Sequence, residues 1–514
     1  MSRHTKIARA LFVVTILLSI AVTYHVTTRP LLDMLGFVPD DAFYYLQIAR
    51  NIAAGLGSSF DGETTTNGYH PGWMVVLAGF AHLIQGREAL LRTALVTCFA
   101  LNTATGLAIA LLFRRWFGAA WGWTAGALWF VFPWPYLLAT QVVEASLYAL
   151  ILVLVALAAS RLVAPTNGAP SSAKQVFLLG LVIGLAIVAR TEGVVLLVCA
   201  LPWIFFWVRG TGSRPSAMQG GLYAGILVAG AALVLAPPAL YSLSHFGGIC
   251  QDSGAMKLLW QSPHPPLVAL KLNILIVAPA LLAALVLPYR KAIWAQSVLC
   301  LLAATSLQAL IYRVSFADIQ FWYLALPTVT LFIGFLAAIA AWTGSYQAGT
   351  RTLVPWLAIV LFGLTGVLSV AYQSHDMVTL NCYPWQRDVY TSQLAINRTL
   401  TETDRVGCFN AGIPAYFSDR FVTNLDGLVN HQIHPFYLTQ RIEDYIRLNR
   451  ISVLCDEKDA LSRASQYMTR PLNLVPVQRY PLAGWGGAEQ YRYVWQVRST
   501  PEPGRAAIGA NPDH

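Results

Sequence analysis

Two adjacent carboxylates, Asp40 and Asp41, open the stretch VPDDAFYYLQIARNIAAGLGSSFDGETTTNGYHPGW, residues 38–73, just after a long apolar run. Ionisable groups held against lipid are costly and therefore candidates for function. A carboxylate so placed can take a proton from an attacking hydroxyl as a general base, or coordinate a divalent cation. A local explanation competes. Asp40 follows Pro39 and starts a helical pattern in which Asp41, Tyr45, Ile48 and Ile52 share a face. An acid at a helix start caps free N–H groups and suits the positive end of the helix. One Asp suffices for that; two side by side repel.

Further polar groups stand between apolar runs. The same stretch carries Asn67, Tyr69 and His70 beside Trp73. QVVEASLYAL holds Glu144, and ARTEG holds Arg190 and Glu192. DSGAMKLLW holds Asp252, Ser253 and Lys257, the last two four apart on one helical face. YRVSFADIQFWY holds Arg313, Asp318, Trp322 and Tyr323. Plainer readings exist for each: turn residues, a structurally satisfied histidine, an internal Arg190–Glu192 salt bridge, aromatic anchors at a membrane interface. Together, however, they set acids and cations near span ends, a pattern suited to a lipid-linked, negatively charged substrate. A lipid phosphate needs Lys or Arg to hold it and to stabilise the charge that develops as it leaves, which points to Lys257, Arg313 and Arg190. An attacking hydroxyl needs a carboxylate, which points to Asp40 and Asp41. A sugar between them would lie against Tyr44, Tyr45 or Trp73. Asp40 and Asp41 are also the residues expected to hold a divalent ion such as Mg or Mn, if one is used.

The elements that position these groups follow from composition. Of 514 residues, 56% are hydrophobic and 11% charged, against roughly 25% charged in soluble domains. This is a polytopic membrane protein. Its excess of 34 Lys+Arg over 24 Asp+Glu reads as loop anchoring rather than nucleic-acid binding, because no basic stripe with interleaved aromatics occurs. Seven scattered Cys with no CxxC pair give no zinc or redox motif. Eleven apolar runs are expected to cross as helices, the only open structure that satisfies its backbone in lipid. They begin with an uncleaved anchor at 10–26 and end at 353–371. The thirteen-residue run 72–84 is too short to cross and is expected to lie at the interface. The basic loop residues then fall on the cytoplasmic side, with the N-terminus inside. The first outer loop, 29–88, and the later polar loops face the other side.

After Tyr372 the pattern changes to alternating strand-like and helix-like segments, an α/β domain expected at 374–498 on the outer face, followed by a disordered tail at 499–514. The membrane part is 1–373. Cys382, Cys408 and Cys455 lie in the outer domain, where an oxidising compartment would permit a disulfide of unspecified pairing.

The segments PDDAFYYLQIARNIAAG, TNGYHPGW, VVEASLYAL, ARTEG, DSGAMK and FNAGIPAYFSDRFVTNLDGLVN resemble those of bacterial GT-C fold membrane glycosyltransferases, in the branch related to protein mannosyltransferases and aminoarabinose transferases. The resemblance runs over nearly the whole chain. It implies a catalytic acidic motif in the first outer loop, here Asp40 and Asp41. It further implies a sugar donor on polyprenyl phosphate, a glycan, lipid or protein acceptor, and inversion at the anomeric carbon, at the periplasmic face of a bacterial inner membrane. The segment VVEA stands where many relatives read closer to GMET, and RTEG where RPEG is common. The alternative is a transporter or flippase of a lipid-linked saccharide; internal repeats and midplane charges, its usual marks, are not seen.

Overall fold

The computed structural model describes residues 3–162, 173–209, 217–260, 264–315, 319–344, 382–401, 403–482 and 490–498. The expected eleventh span at 353–371, Asp318 and the tail at 499–514 lie outside the described residues.

The membrane part is built from α1 (Arg3–Thr27), α2 (Leu31–Leu35), α3 (Asp40–Ala53), α4 (Pro71–Leu83), α5 (Arg87–Phe117), α6 (Ala119–Val131), α7 (Trp134–Thr140), α8 (Ala145–Ala159), α9 (Ala173–Ala189), α10 (Val194–Arg209), α11 (Ala217–Phe246), α12 (Asp252–Leu259), α13 (Pro266–Val286), α14 (Ile293–Ser315) and α15 (Ala325–Gly344). Among the described residues, six helices are long and apolar enough to cross a membrane, joined by shorter apolar helices that include α4, α8 and α9. The chain is therefore a multi-pass membrane protein. The run 119–139, read from sequence as one span, breaks at Pro133 into α6 and α7, because proline cannot continue the hydrogen-bond ladder. The 13 residues of α4 rise about 20 Å, short of a roughly 30 Å hydrocarbon core, as expected for 72–84.

Burial separates lipid-facing from central helices. Only 17% of the most apolar window of α1 is buried, against 78% of the window in Phe321–Thr343, so α15 forms the centre. Leu11, Val14, Leu17 and Leu18 of α1 are more than half exposed, which suits a lipid surface. α9 and α11 approach closely through glycine. A Cβ on Gly184 would stand 2.8 Å from the Ala231 carbonyl, and one on Gly180 would collide with that of Leu227.

The C-terminal part is a mixed α/β domain. Strands β1 (Val406–Cys408), β2 (Val422–Asn424), β3 (Val453–Glu457), β4 (Asn473–Leu482) and β5 (Gln490–Arg498) form one sheet in the order β2-β1-β3-β5-β4. β2, β1 and β3 are parallel; β5 runs antiparallel to β3, and β4 to β5. The five buried residues of β3 mark it as the core strand. Cys408 and Cys455, on neighbouring strands, are buried free thiols hydrogen-bonded to each other.

This domain is fastened to the membrane part at several places. Tyr383 N donates to Gly36 O at 2.6 Å and Tyr383 Oη to Gln141 Oε1 at 2.8 Å. Arg87, at the start of α5, binds Ser418 O and Asp419 at 2.8 and 2.7 Å, while Tyr416 Oη donates to Arg87 O at 2.6 Å. A further fastening is at Asp40.

Candidate active site

α3 begins at Asp40 because Pro39 is extended and ends the preceding segment. Tyr44, Ile48 and Phe43 on its buried faces fix its orientation. The two aspartates then part company. Asp40 is half-buried, and its two carboxylate oxygens accept the backbone N–H groups of Gly412 (2.8 Å) and Ile413 (2.9 Å). These amides open the short helix Gly412–Tyr416 that follows β1, at the carboxyl end of a parallel strand, where open α/β sheets bind ligands. Asp40 fills that position. Position 412 must be glycine for this approach, since a Cβ there would stand 2.7 Å from Asp40 Oδ1. Asp41 points elsewhere: about one-third exposed, it lies 4.0 Å from Lys257 Nζ on α12.

Burial pushes the Asp40 carboxyl up to about 6, against the pull of the Ile413 and Gly412 amides. A carboxyl whose pKa rises on folding from 3.8 to about 6 binds more protons in the folded than in the unfolded chain between those values. Its contribution to stability is present below the unfolded pKa and lost as pH rises through about 6. The Tm of the wild-type chain therefore falls more steeply between pH 4 and 7 than that of Asp40→Asn, read by thermal unfolding of both proteins in detergent across that range.

Lys257 is held by more than Asp41. Its ammonium donates to Tyr323 Oη and lies 5.0 Å from the centre of that ring. Burial works to lower the pKa of Lys257, but Tyr323 and Asp41 outweigh it and hold the ammonium above its ordinary range. The other face of the cluster is Arg190, whose guanidinium carbon also lies 5.0 Å from the Tyr323 ring centre. Arg190 is 1% exposed and ion-paired with both Glu144 and Glu192, the latter at 2.6 Å. Tyr45 Oη donates to Glu144 (2.8 Å), and Tyr312 Oη to Glu192 (2.5 Å). His70 caps α4; its N–H donates to Tyr45 Oη at 3.1 Å and its ring meets Glu144 at 3.8 Å. Burial lowers the pKa of His70 despite Glu144.

The structure thus brings Asp41, Lys257, Arg190, Glu144, Glu192, Tyr45 and His70 into one connected group, from five separate chain segments. Trp73 is fully buried, its indole N–H donating to Val142 O at 3.2 Å, and braces the loop before Glu144. Other expected residues lie apart from that group. Tyr44 is buried under the C-terminal domain, donating to Asp426 at 2.9 Å. Tyr69 pairs with Ser58 at 2.6 Å. Asn67 and Asp252 bind each other: Asp252 N donates to Asn67 Oδ1 at 2.9 Å, and Asn67 N to Asp252 Oδ2 at 3.3 Å. Ser253 is half-buried on α12. Arg313 is exposed near the end of α14 and forms no ion pair with a described residue.

The metal expectation also meets a different arrangement. The oxygens of Asp40 are engaged by backbone amides and Asp41 faces an ammonium, so the pair does not present two open carboxylates to a cation. Among the described residues, the group whose ligand atoms could converge on a metal ion is Asp252, His431 and His434, all within 4.8 Å of one another. His431 and His434 are not among the residues the sequence singles out, although three-residue spacing in HQIHP can set two imidazoles on one face of a turn. Gln308, which donates to Tyr312 Oη (3.0 Å) and Tyr323 O (3.2 Å), left no such trace inside an apolar helix.

Comparison with known proteins adds three findings. Residues 383–505 match a family model described as a domain of unknown function, DUF8728. No curated protein matches. Among solved structures, ArnT from Cupriavidus metallidurans bound to undecaprenyl phosphate is similar with a TM-score of 0.56 at 14% identity, over 94% of this chain and 97% of ArnT. The archaeal oligosaccharyltransferase AglB from Archaeoglobus fulgidus, in complex with an inhibitory peptide and a dolichol-phosphate, gives 0.57 at 12% identity, over 91% of this chain and 72% of AglB. The Archaeoglobus fulgidus oligosaccharyltransferase in complex with Zn and sulfate gives 0.53 at 13%, over 87% and 68%. Over more than nine-tenths of its length, this chain has the GT-C fold of these membrane glycosyltransferases.

Proposed function

We propose that the protein is an inverting glycosyltransferase that moves a sugar from a polyprenyl-phosphate donor to a hydroxyl acceptor at the periplasmic face of a bacterial inner membrane. The observation that carries the reading is the facing of Asp41 and Lys257 over Tyr323, part-exposed, on the side covered by the C-terminal domain. The GT-C fold supports it, since ArnT and AglB are solved with polyprenyl-type phosphates.

The two aspartates divide the work. Asp41 is the general base, because both oxygens of Asp40 are engaged by the Gly412 and Ile413 amides; Asp40 locks the helix that carries Asp41. The donor phosphate draws Lys257 away and breaks its ion pair with Asp41. Asp41 removes the proton from the acceptor hydroxyl as its oxygen bonds to the anomeric carbon. The bond from that carbon to the phosphate oxygen breaks on the opposite face, and the electron pair leaves with the phosphate. Lys257 neutralises that charge. Arg190, already balanced by Glu144 and Glu192, positions Tyr323 and thereby Lys257. It is a positioning residue here, and Arg313 has no place in the cluster. No step is routed through a divalent ion at Asp40 and Asp41, whose donors do not fit one.

The test is release of free polyprenyl phosphate from a panel of labelled polyprenyl-phosphate sugars, with purified protein in detergent and envelope glycolipid or glycoprotein as acceptor. A flippase, with no bilayer to cross, would release none. In the same assay Lys257→Met lowers kcat/KM for the donor by about 10²–10³-fold, the usual loss on removing one group that stabilises developing charge. An unchanged value would remove Lys257 from the mechanism.

A further inference from the structure

We infer that Asp252, His431 and His434 form a binding site for one zinc-class divalent ion, which clamps the C-terminal domain to the loop helix that carries Lys257. The inference stands apart from the proposed reaction and needs only the geometry of these three residues.

The donor set selects the metal. Two imidazoles and one carboxylate suit zinc and its neighbours, whereas magnesium and calcium take oxygen donors. His431 Nδ1 lies 2.7 Å from Asp252 Oδ1, and one ligand atom of each of the three residues lies within 4.8 Å of the others. Tetrahedral bonds of about 2.0–2.1 Å place donors roughly 3.3 Å apart, so a small opening of the first contact and a small closing of the others admit the ion. His431, with 42% of its side chain exposed, has room for that adjustment and leaves a fourth position to water.

The surroundings are those of a ligand set. Metal-binding side chains are held by outer partners that fix their orientation. Asp252 is 3% exposed, and its other oxygen accepts Thr66 Oγ1 (3.0 Å) and the Asn67 amide (3.3 Å), leaving Oδ1 turned to the histidines. His434 Nε2 donates to the Gly427 carbonyl at 2.9 Å, which fixes its ring and puts the lone pair on the other nitrogen.

The placement gives the consequence. Asp252 is the first residue of α12 and Lys257 lies five residues on, about 7.5 Å along the helix axis. One ion therefore cannot touch both, and its role is to hold α12 rather than to meet substrate. It joins three segments distant in sequence: the first loop at Thr66 and Asn67, α12, and the 431–434 turn of the C-terminal domain.

The experiment uses the full-length chain in detergent, stripped with chelator, dialysed against zinc chloride and measured for metal by mass spectrometry. The expected result is one zinc per wild-type chain and a loss of at least 100-fold in zinc affinity for the His431→Ala/His434→Ala double variant. Zinc should raise the Tm of the wild type and leave that of the variant unchanged. Should the double variant not fold, single His→Gln variants and the visible absorption of the Co²⁺-loaded wild type report the same ligands. Less than about 0.1 zinc per wild-type chain, or full occupancy in the variants, overturns the proposal, as does binding of Mg²⁺ but not zinc. A chain that transfers no sugar would still bind the ion, so the two readings fail separately.

Discussion

Asp41→Asn lowers kcat for sugar transfer by about 10³-fold, with Tm and detergent elution unchanged, whereas Asp40→Asn acts on stability as well. General-base catalysis by a positioned carboxylate is worth about 10²–10⁴ in rate. Asn is isosteric and keeps a carbonyl oxygen near Lys257, and the 4.0 Å ion pair it weakens is partly exposed and of a kind that contributes little. At Asp40 the same change removes one of two acceptors from a buried arrangement in which Gly412 and Ile413 both donate. One amide is then left unpaired, which costs about 1–3 kcal/mol. Turnover of labelled donor together with thermal unfolding separates the two. Full activity in Asp41→Asn would reduce the pair to helix capping.

Arg190→Met removes the guanidinium that pairs with both Glu144 and Glu192 and is expected to cost about 3–5 kcal/mol, the usual penalty for leaving a buried carboxylate unpaired. The loss appears as a lower Tm and poorer recovery of folded protein from the membrane. Pairing the change with Glu144→Gln recovers part of it, since the buried negative charge goes with its partner. Activity is lost even in the folded fraction, because Tyr323 no longer lies on a fixed guanidinium and Lys257 loses its support. If Arg190→Met keeps its stability, the cluster is more open to water than the 1% exposure of Arg190 implies.

Much of this was legible beforehand. Apolar runs located most of the described membrane helices but left their ends off by up to seven residues, because a span must pair its own backbone while its ends reach into polar sequence. Asp41, Lys257, Arg190, Glu144 and Glu192 stood out because a charge in an apolar chain is expensive. What the sequence could not supply was the sorting of neighbours. Asp40 and Asp41 are adjacent and chemically identical, and only the 412–413 amides, more than 370 residues away, tell them apart. Arg190 looked like a phosphate ligand because only Glu192 of its two carboxylate partners is its neighbour in sequence; Glu144 comes from another segment. Tyr44 looked like a sugar platform, yet it lies beneath Asp426 and Phe409 of the C-terminal domain. The break between α6 and α7 was written in Pro133 and Pro135 and was overlooked because the hydropathy runs straight through them.

The lock on Asp40 also sets a timetable. Its partner Gly412 is made 372 residues later. At roughly 5–20 residues per second, the ribosome needs about 20–75 s to supply it. During that interval the newborn first loop waits incomplete beside the lipid, and a message truncated before codon 412 leaves it so permanently. In such a copy α3 begins with a carboxylate whose amide partners were never made.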